Sequence, residues 1–196
     1  MASSSKDDNI TAWPNLGLNY WGITKCANTT VKTHLYELEN GVEILERKHT
    51  RIHGYNLNYI TYCEAMSNGL LNFAVTRHPF DRFMSMYNDL VLSRPKRGLK
   101  AGVESNWTIN QLLDWLEGQD LNTVDVHFRT QSSFVPTTNI LLIDIKHLND
   151  WPLAIPPIAK RRHTSRVKTM AKLDGFQKTR IYKLYQEDFD NFAYLK

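Results

Sequence analysis

Short apolar runs and helically spaced apolar residues alternate along the chain. A near-continuous apolar run is typical of a strand that is buried on both faces of a parallel sheet. Strands of this kind are predicted at residues 18–23, 70–76 and 139–145. Helical spacing of apolar side chains follows the first two strands, at residues 31–38 and 80–91. Strands that alternate with helices predict an α/β layer fold with a mostly parallel sheet.

For the remaining segments, capping residues, turn residues and charge predict further helices, a strand and loops. Thr108 followed by Gln111 predicts a capping box for a helix at residues 109–118. An apolar stripe predicts one docked C-terminal helix at residues 178–196. Further expectations are a helix at 56–66, a short strand at 41–45, a mobile surface loop at 93–106 and a basic loop at 152–168.

The size and charge of the chain limit its class. Its 196 residues suffice for one substantial domain, so we predict a single domain over residues 1–196 with a flexible N-terminal segment at 1–15. Hydrophobic residues make up 42% of the chain and charged residues 22%, which is ordinary for a soluble globular protein. The net charge of +4 favours an anionic ligand but is too small to indicate nucleic-acid binding.

Cysteines and apolar runs bear on the compartment. No apolar run approaches the ~20 residues that span a bilayer, and the first residues lack the apolar core of a signal peptide. Cys26 and Cys63 are the only cysteines and have no metal-ligand spacing, so a reducing cytoplasm is the predicted compartment. Asn-x-Thr sequences at Asn9, Asn28 and Asn106 are interpreted as chance matches, and a lumenal catalytic fragment of an anchored enzyme is the less favoured alternative.

The first predicted strand runs into the first predicted helix through GITKCANTT, residues 22–30. A strand-to-helix turn presents unpaired backbone N–H groups and the positive end of the helix dipole, which suit an anion. Lys25 and the hydroxyls of Thr29 and Thr30 point to a phosphate group. The alternative is that the threonines only cap the helix and that Lys25 is a solvated surface charge.

A second strand-to-helix turn has the same character. Arg77 stands where the strand at 70–76 ends, and Ser85 follows about two helical turns into the next helix. Ligands of open α/β sheets bind at the carboxyl edge of the strands, and a guanidinium with a hydroxyl suits a terminal phosphate. For Arg77 taken alone, a surface or salt-bridge residue is the alternative.

Four segments resemble motifs of the sulfotransferases, in the order in which that family has them. TKCANTTVK, residues 24–32, is similar to the loop that binds the 5′-phosphosulfate, and FAVTRHPFDRFMSMYND, residues 73–89, is similar to the 3′-phosphate motif. HFRTQ at 127–131 and IYKLYQEDFDNFAY at 181–194 are similar to segments of the carbohydrate sulfotransferase branch. Over most of its length, the chain thus resembles this family, whose members use 3′-phosphoadenosine 5′-phosphosulfate (PAPS).

The resemblance implies a P-loop-NTPase-like three-layer fold, with helices flanking a central, mostly parallel sheet. It also implies an enzyme that transfers a sulfuryl group from PAPS to an acceptor hydroxyl by direct in-line displacement, without a metal, leaving adenosine 3′,5′-bisphosphate. The implied acceptor is a carbohydrate or a small molecule. PAPS carries roughly four negative charges, so two separate anion sites suit it.

The resemblance also implies which residues bind the donor. Lys25 would neutralise the bridging oxygen as the sulfur departs. The 5′-phosphate would be held by the rest of the same loop, at Cys26, Ala27, Asn28, Thr29 and Thr30. Arg77 and Ser85 would bind the 3′-phosphate. Apart from the resemblance, Arg166 of the basic loop is a candidate for covering the adenosine end, and a merely solvated charged loop is the preferred alternative.

An acceptor hydroxyl needs a general base, and histidine suits a reaction near neutral pH. The family places a catalytic His or Glu between its two phosphate motifs, where this chain has His49 and His53. His49 is slightly preferred, and a surface histidine without a function is the alternative for each. His127 and Arg129 are assigned to the acceptor, with ordering of the site or contact with the donor as alternatives. The basic loop at 160–168 has no further assignment.

The chain departs from the family pattern in several places. Thr24 and Thr130 replace prolines, His78 replaces an aspartate, and a small Gly-rich pair is replaced by Ala27 and Asn28. The changes at Thr24, Ala27 and Asn28 soften the 5′ motif, and the orienting function of the missing aspartate is not assigned to His78.

Two other classes remain as alternatives. A P-loop nucleotide kinase is disfavoured because no G-x-x-x-x-G-K-[ST] occurs and Asp144 is the only tempting magnesium ligand. A non-catalytic module that binds nucleotides or nucleic acid is hinted at by RIYKLY, whose helical spacing is better explained by core packing. We therefore expect a sulfate acceptor as partner, and no nucleic acid, membrane segment or metal.

Overall fold

The computed structural model describes most of the chain, namely residues 9–44, 52–158 and 172–192. No helix within these residues is both long and apolar enough to cross a membrane. The chain divides into two compact units, the first made of Met1–Thr76 with Phe134–Thr164 and the second of Arg77–Ser133 with Ser165–Lys196. A single domain over the whole chain remains a prediction.

The first unit contains a four-stranded sheet among its described residues. In spatial order, its strands are β1 (Ile10–Trp13), β2 (Leu18–Trp21), β3 (Leu71–Thr76) and β4 (Leu141–Asp144). β2, β3 and β4 lie within the three predicted strands and are parallel, whereas β1 runs antiparallel to β2. The predicted α/β class with a mostly parallel sheet is confirmed.

β1 corrects the prediction of a flexible segment at residues 1–15. All of Ile10–Trp13 is buried and pairs with β2, and a short 3₁₀ turn at Pro14–Leu16 connects the two strands. Ile10–Trp13 stands between the polar residues 3–9 and Pro14, which favour irregular structure, so its pairing with β2 is what reveals the strand. Residues 1–8 lie outside the described part of the chain.

α1 (Asn28–Asn40) follows β2 as predicted and turns its apolar face into the core of the first unit. Val31 and Leu35 are fully buried in the same cluster as Tyr20 of β2 and Phe73 of β3. The ring centres of Tyr20 and Phe73 lie 5.1 Å apart. Because full burial of a Val, Leu or Phe side chain contributes roughly 1.5–3 kcal/mol, these side chains hold α1 in its position.

The helix expected at residues 56–66 is shorter than the apolar spacing suggests. It is α2 (Tyr62–Ser67), which begins after the N-cap residue Thr61. Thr61 and Glu64 form a capping box, in which each side chain accepts a hydrogen bond from the backbone of the other. This local signal decides where the helix begins.

No strand forms at residues 41–44, although one is expected at 41–45. Gly41 has a left-handed backbone, with φ of 62°, and ends α1. The Glu37 carboxylate then accepts a hydrogen bond from the N–H of Ile44 at 2.7 Å. The N–H of Ile44 is therefore bonded to a side chain of α1 and is not available to pair with a strand.

The regular structure described in the second unit is helical. It includes α3 (Pro79–Tyr87), a π-helical segment (Asn88–Ser93), α4 (Pro95–Lys100), α5 (Ile109–Glu117), α6 (Gly175–Leu184) and α7 (Gln186–Asn191). Buried side chains of α3, α5 and α6 form its core, among them Phe83, Leu112 and Ile181. The predicted capping box of Thr108 and Gln111 is present at the start of α5.

Two predictions in the second unit are wrong. The loop expected at residues 93–106 contains α4, which begins at Pro95, a residue suited to the first turn of a helix. The single C-terminal helix is broken into α6 and α7 at Tyr185, whose φ is −115° and ψ is 28°. The buried Tyr185 hydroxyl donates to the carbonyl of Phe128 at 2.8 Å, which holds the break.

Gly98 is the position on which the packing of α4 depends. A Cβ at Gly98 would lie 2.3 Å from the carbonyl oxygen of Leu90 and 3.3 Å from a methyl carbon of Val103. We therefore expect Gly98→Ala to lower the free energy of unfolding by roughly 1–3 kcal/mol, measured by urea denaturation. Gly175→Ala is the control because no atom lies within 4 Å of its Cβ position. Equal stability of the two variants would contradict this packing.

Candidate functional site

The loop between β2 and α1, residues 22–27, has the backbone of an anion-binding turn. Lys25 and Ala27 both adopt the left-handed conformation, with φ of 67° and 59°. Left-handed residues alternating with right-handed ones turn successive N–H groups toward one point, an arrangement called a nest. Each non-glycine residue in this conformation costs about 1–3 kcal/mol. The surrounding structure must therefore hold the loop in this shape.

The first turn of α1 adds hydrogen-bond donors to this loop. Ala27 is the N-cap residue, so no side chain at that position accepts from the N–H groups of the turn. Thr29 is half-buried and Thr30 is buried in the same turn, and Lys25 before it is half-buried. The strand-to-helix turn predicted at residues 22–30 is confirmed, and its binding of a phosphate stays a prediction.

The structure describes one of the two histidines that are predicted as general base. Nε2 of His53 lies 3.2 Å from Oγ1 of Thr29, beside the first turn of α1. His49 lies outside the described residues. His53 is thus within hydrogen-bond distance of Thr29, a residue that is predicted to bind a phosphate.

The carboxamide of Asn9 connects the loop to α1, and the sequence pattern does not reveal it. Its Nδ2 donates to the carbonyl of Gly22, and its Oδ1 accepts from Nζ of Lys32 at 2.7 Å. Lys32 is completely buried and also contacts the hydroxyl of Tyr59 at 3.3 Å. Burial lowers the pKa of Lys32 from 10.5 to about 7. Asn9 directly precedes β1, so its place beside the loop follows from a strand that the sequence does not predict.

The turn between β3 and α3 begins at Arg77, which directly follows the last residue of β3 and is half-buried. Pro79 starts α3, and His78 caps it because its Nδ1 accepts a hydrogen bond from the N–H of Phe80 at 3.3 Å. His78 thereby supplies an acceptor where the similar family has an aspartate. Ser85 lies half-buried in α3.

Gln131 holds the backbone of Arg77 through both ends of its carboxamide. Oε1 of Gln131 accepts from the N–H of Arg77 at 2.9 Å, and Nε2 donates to the carbonyl of Arg77 at 2.8 Å. Gln131 is fully buried, so both hydrogen bonds are shielded from water. The backbone direction of Arg77 is therefore set by a residue 54 positions away in the sequence.

Asp188 of α7 holds the segment that carries Gln131. Its carboxylate accepts from the N–H of Gln131 at 2.8 Å and from the N–H and hydroxyl of Ser132 at 2.9 and 3.0 Å. Burial raises the pKa of Asp188, against the opposing effects of Arg82 and these hydrogen bonds. Arg82 in turn donates to the carbonyl of Arg129 at 2.7 Å. Sequence reasoning assigns no function to Gln131 and Asp188, although both stand in the segments HFRTQ and QEDF.

His127 and Arg129, the predicted acceptor ligands, are held by neighbours within the second unit. Nδ1 of His127 lies 2.5 Å from the Asp125 carboxylate, and its Nε2 lies 2.7 Å from a guanidinium nitrogen of Arg97. Because Arg97 can only donate, Nε2 accepts and Nδ1 carries the hydrogen. The hydrogen bond from His127 lowers the pKa of Asp125. Nε of Arg129 donates to the carbonyl of Val124 at 2.8 Å, and acceptor binding stays a prediction.

The other predicted ligands are a cysteine in the first turn and an arginine of the basic loop. Cys26 is completely buried, so a ligand bound at residues 22–30 would contact its backbone and not its thiol. Arg166 lies outside the described residues. Within the described ranges, no group of three or more His, Cys, Asp or Glu side chains is arranged to hold a metal ion.

Gln131→Leu removes both hydrogen bonds to Arg77 while keeping a side chain of similar size. We expect the free energy of unfolding to fall by about 1–3 kcal/mol, because two backbone groups lose this partner. Urea denaturation measures the change. Gln119→Leu is the control, since Gln119 is exposed and its replacement is expected to change stability by less than about 0.5 kcal/mol. If both variants were as stable as the wild type, the hold on Arg77 would be refuted.

The turns after β2 and β3 lie in a part of the chain that matches a known family. A family model described as Sulfotransferase family matches residues 8–151, a stretch that also includes HFRTQ. No curated protein and no solved structure matches the chain significantly. The match covers most of the chain and contains the first three of the four similar segments, so the protein belongs to the sulfotransferase family.

Proposed function

We propose that this sulfotransferase moves a sulfuryl group from PAPS to an acceptor hydroxyl by direct in-line displacement. The observation that carries the proposal is the loop before α1, where Lys25 and Ala27 are left-handed and no side chain caps the helix. Such a loop, at the carboxyl end of a buried parallel strand, suits a phosphate group that is bound through backbone amides. Membership of the sulfotransferase family supports a sulfuryl group as the one transferred.

Each phosphate of the donor is assigned to one turn. Residues 25–30 bind the 5′-phosphate through N–H groups and hydroxyls, and Lys25 neutralises the charge that develops on the bridging oxygen. Arg77 and Ser85 bind the 3′-phosphate through a guanidinium and a hydroxyl. β2 and β3 are parallel neighbours, so both strands end at the same edge of the sheet, which is the edge where ligands of open α/β sheets bind. Arg166 is proposed for the adenosine end from its place in a basic segment of the sequence alone.

His53 is proposed as the general base. Its contact with Thr29 brings the imidazole next to the loop that is assigned to the 5′-phosphate. The acceptor hydroxyl gives its proton to His53 as its oxygen bonds to sulfur. The bond from sulfur to the bridging oxygen breaks, and its electron pair stays on that oxygen. Adenosine 3′,5′-bisphosphate and the sulfated acceptor are the products. His49 remains the alternative from the sequence.

The acceptor is proposed to be a carbohydrate hydroxyl, because HFRTQ and the closing segment are similar to the carbohydrate branch. His127 and Arg129 are proposed to contact it. Since Asp125 and Arg97 occupy both ring nitrogens of His127, the imidazole also fixes the exposed Arg97 guanidinium. The remaining N–H groups of that guanidinium suit hydroxyl or anionic groups of a sugar.

Arg77→Ala is expected to weaken the binding of adenosine 3′,5′-bisphosphate by about 1.5–3 kcal/mol, the range for hydrogen bonds to charged groups. This corresponds to a rise in Kd of roughly 10- to 150-fold, which calorimetric titration measures. Lys146→Ala is the control, since the Lys146 side chain is 62% exposed and belongs to neither turn. An unchanged Kd for Arg77→Ala would refute the 3′-phosphate assignment, and a preference for ATP would favour the kinase class.

Turnover separates the residues of the chemical step from those that only bind. His53→Asn is expected to lower kcat by about 10²- to 10⁴-fold, because the acceptor loses its base, while the bisphosphate still binds. A His53→Asn variant with wild-type kcat would transfer the assignment to His49.

Lys25→Ala should abolish transfer with an unchanged circular dichroism spectrum.

A further inference from the structure

Lys32 is fully buried in α1, and the proposed function gives it no task. Its Nζ donates to Oδ1 of Asn9 at 2.7 Å and lies 3.3 Å from the Tyr59 hydroxyl and 4.6 Å from the centre of the Tyr59 ring. Both partners are uncharged, and burial is the cause of the lowered pKa of Lys32. A lysine is almost never fully buried unless an opposite charge pairs with it.

Asn9 joins this ammonium group to the loop that is assigned to the 5′-phosphate. Its Oδ1 accepts from Lys32 and, at 3.4 Å, from Nδ2 of Asn28, the first residue of α1. Its Nδ2 and its backbone carbonyl both bond to Gly22, where the loop begins. A Cβ at Gly22 would lie 2.6 Å from Oδ1 of Asn28 and 2.8 Å from Nδ2 of Asn9. The loop backbone thus packs directly against the carboxamide that binds Lys32.

The helix geometry directs the Lys32 side chain toward the same end of α1. Asn28 and Lys32 are four residues apart and so lie on one face of the helix. Long side chains in a helix point back toward its N-terminus, which agrees with the contact between Lys32 and Asn9. The positive charge therefore lies near the N–H groups that are assigned to the phosphate.

We propose that Lys32 is a positioning residue that takes up a proton from solvent when a phosphate-type anion binds to residues 22–30. The identity of that anion rests on the proposed function. In the protonated form the ammonium strengthens its hydrogen bond to Asn9 and balances the negative charge of the ligand. Anion binding and loop geometry are thereby coupled to one proton.

The pH dependence follows from the two states of Lys32. In the free protein burial holds its pKa near 7, so at pH 8 most of the amine is neutral. A bound anion raises that pKa because charges interact strongly where water is excluded. The bound state then holds more protons than the free state, so affinity falls as pH rises from 7 to 9, by up to about tenfold per pH unit.

Other titratable groups lie beside Lys32, elsewhere on α1 and at the loop. Tyr59 stays neutral in this range because burial raises its pKa. On α1 itself, Glu37 and Glu39 bond to the backbone N–H groups of Ile44 and Asn15. At the loop the titratable groups are Lys25, Cys26 and His53. They and the ligand are common to the wild type and a Lys32 variant, so a difference between the two proteins isolates Lys32.

Calorimetry in buffers of different ionisation enthalpy measures the protons that are taken up on binding. Adenosine 3′,5′-bisphosphate and inorganic pyrophosphate are titrated at pH 8 into the wild type, Lys32→Met and, as a matched control, Lys146→Met. We expect the wild type and Lys146→Met to take up about one proton more than Lys32→Met. Between pH 7 and 9 the affinity of Lys32→Met should fall less steeply.

Equal proton uptake by the wild type and Lys32→Met would overturn the inference and leave the proposed function standing. Proton-linked binding of pyrophosphate without binding of the bisphosphate would overturn the proposed function and support the inference. Carbon-13 NMR of labelled lysine Cε atoms in the wild type tests the same point if Lys32→Met does not fold. One lysine should titrate near pH 7 without ligand and at higher pH with it, and titration of every lysine near pH 10 would overturn the inference.

Discussion

The parallel pairing of β2 with β3 is the constraint on which the first unit depends. All of β2 is buried, and Tyr20 pairs with Phe73 across the two strands. Polar groups reinforce this register, because Oδ1 of Asn72 accepts from the indole of Trp21 at 2.9 Å and from Asn19 at 3.1 Å. A shift of one residue would break both hydrogen bonds and turn the apolar side chains to the other face. Burial and hydrogen bonding thus specify the same register.

This register decides where the two turns begin, and a carboxamide then shapes each turn. Asn9 bonds to Gly22 at the start of the first turn, and Gln131 bonds to both backbone groups of Arg77 at the start of the second. A carboxamide both donates and accepts without carrying a charge. It therefore holds a backbone in place and does not compete with the charged side chains for an anion.

Buried charge is handled differently in the two units. In the first, the partners of Lys32 among the described residues are neutral, and burial lowers its pKa to about 7, so its charge is lost near neutral pH. In the second, three hydrogen bonds and the nearby Arg82 surround the Asp188 carboxylate. That carboxylate ties α7 to the segment that holds Arg77. A buried cation thus lies beside the first turn, while a buried anion supports the second from a distance.

The sequence by itself determined the interior strands, the capped helix α5 and the basic residues of both turns. Their signals are local, since an apolar run, a capping box and a charge at a strand end need no distant partner. Only the tertiary structure decided β1, α4 and the break between α6 and α7, where the Tyr185 hydroxyl bonds to the distant carbonyl of Phe128. It also revealed Asn9 and Gln131, whose partners lie 13 and 54 positions away. A carboxamide has no preferred neighbour in the sequence, so only folding brings it to the backbone that it holds.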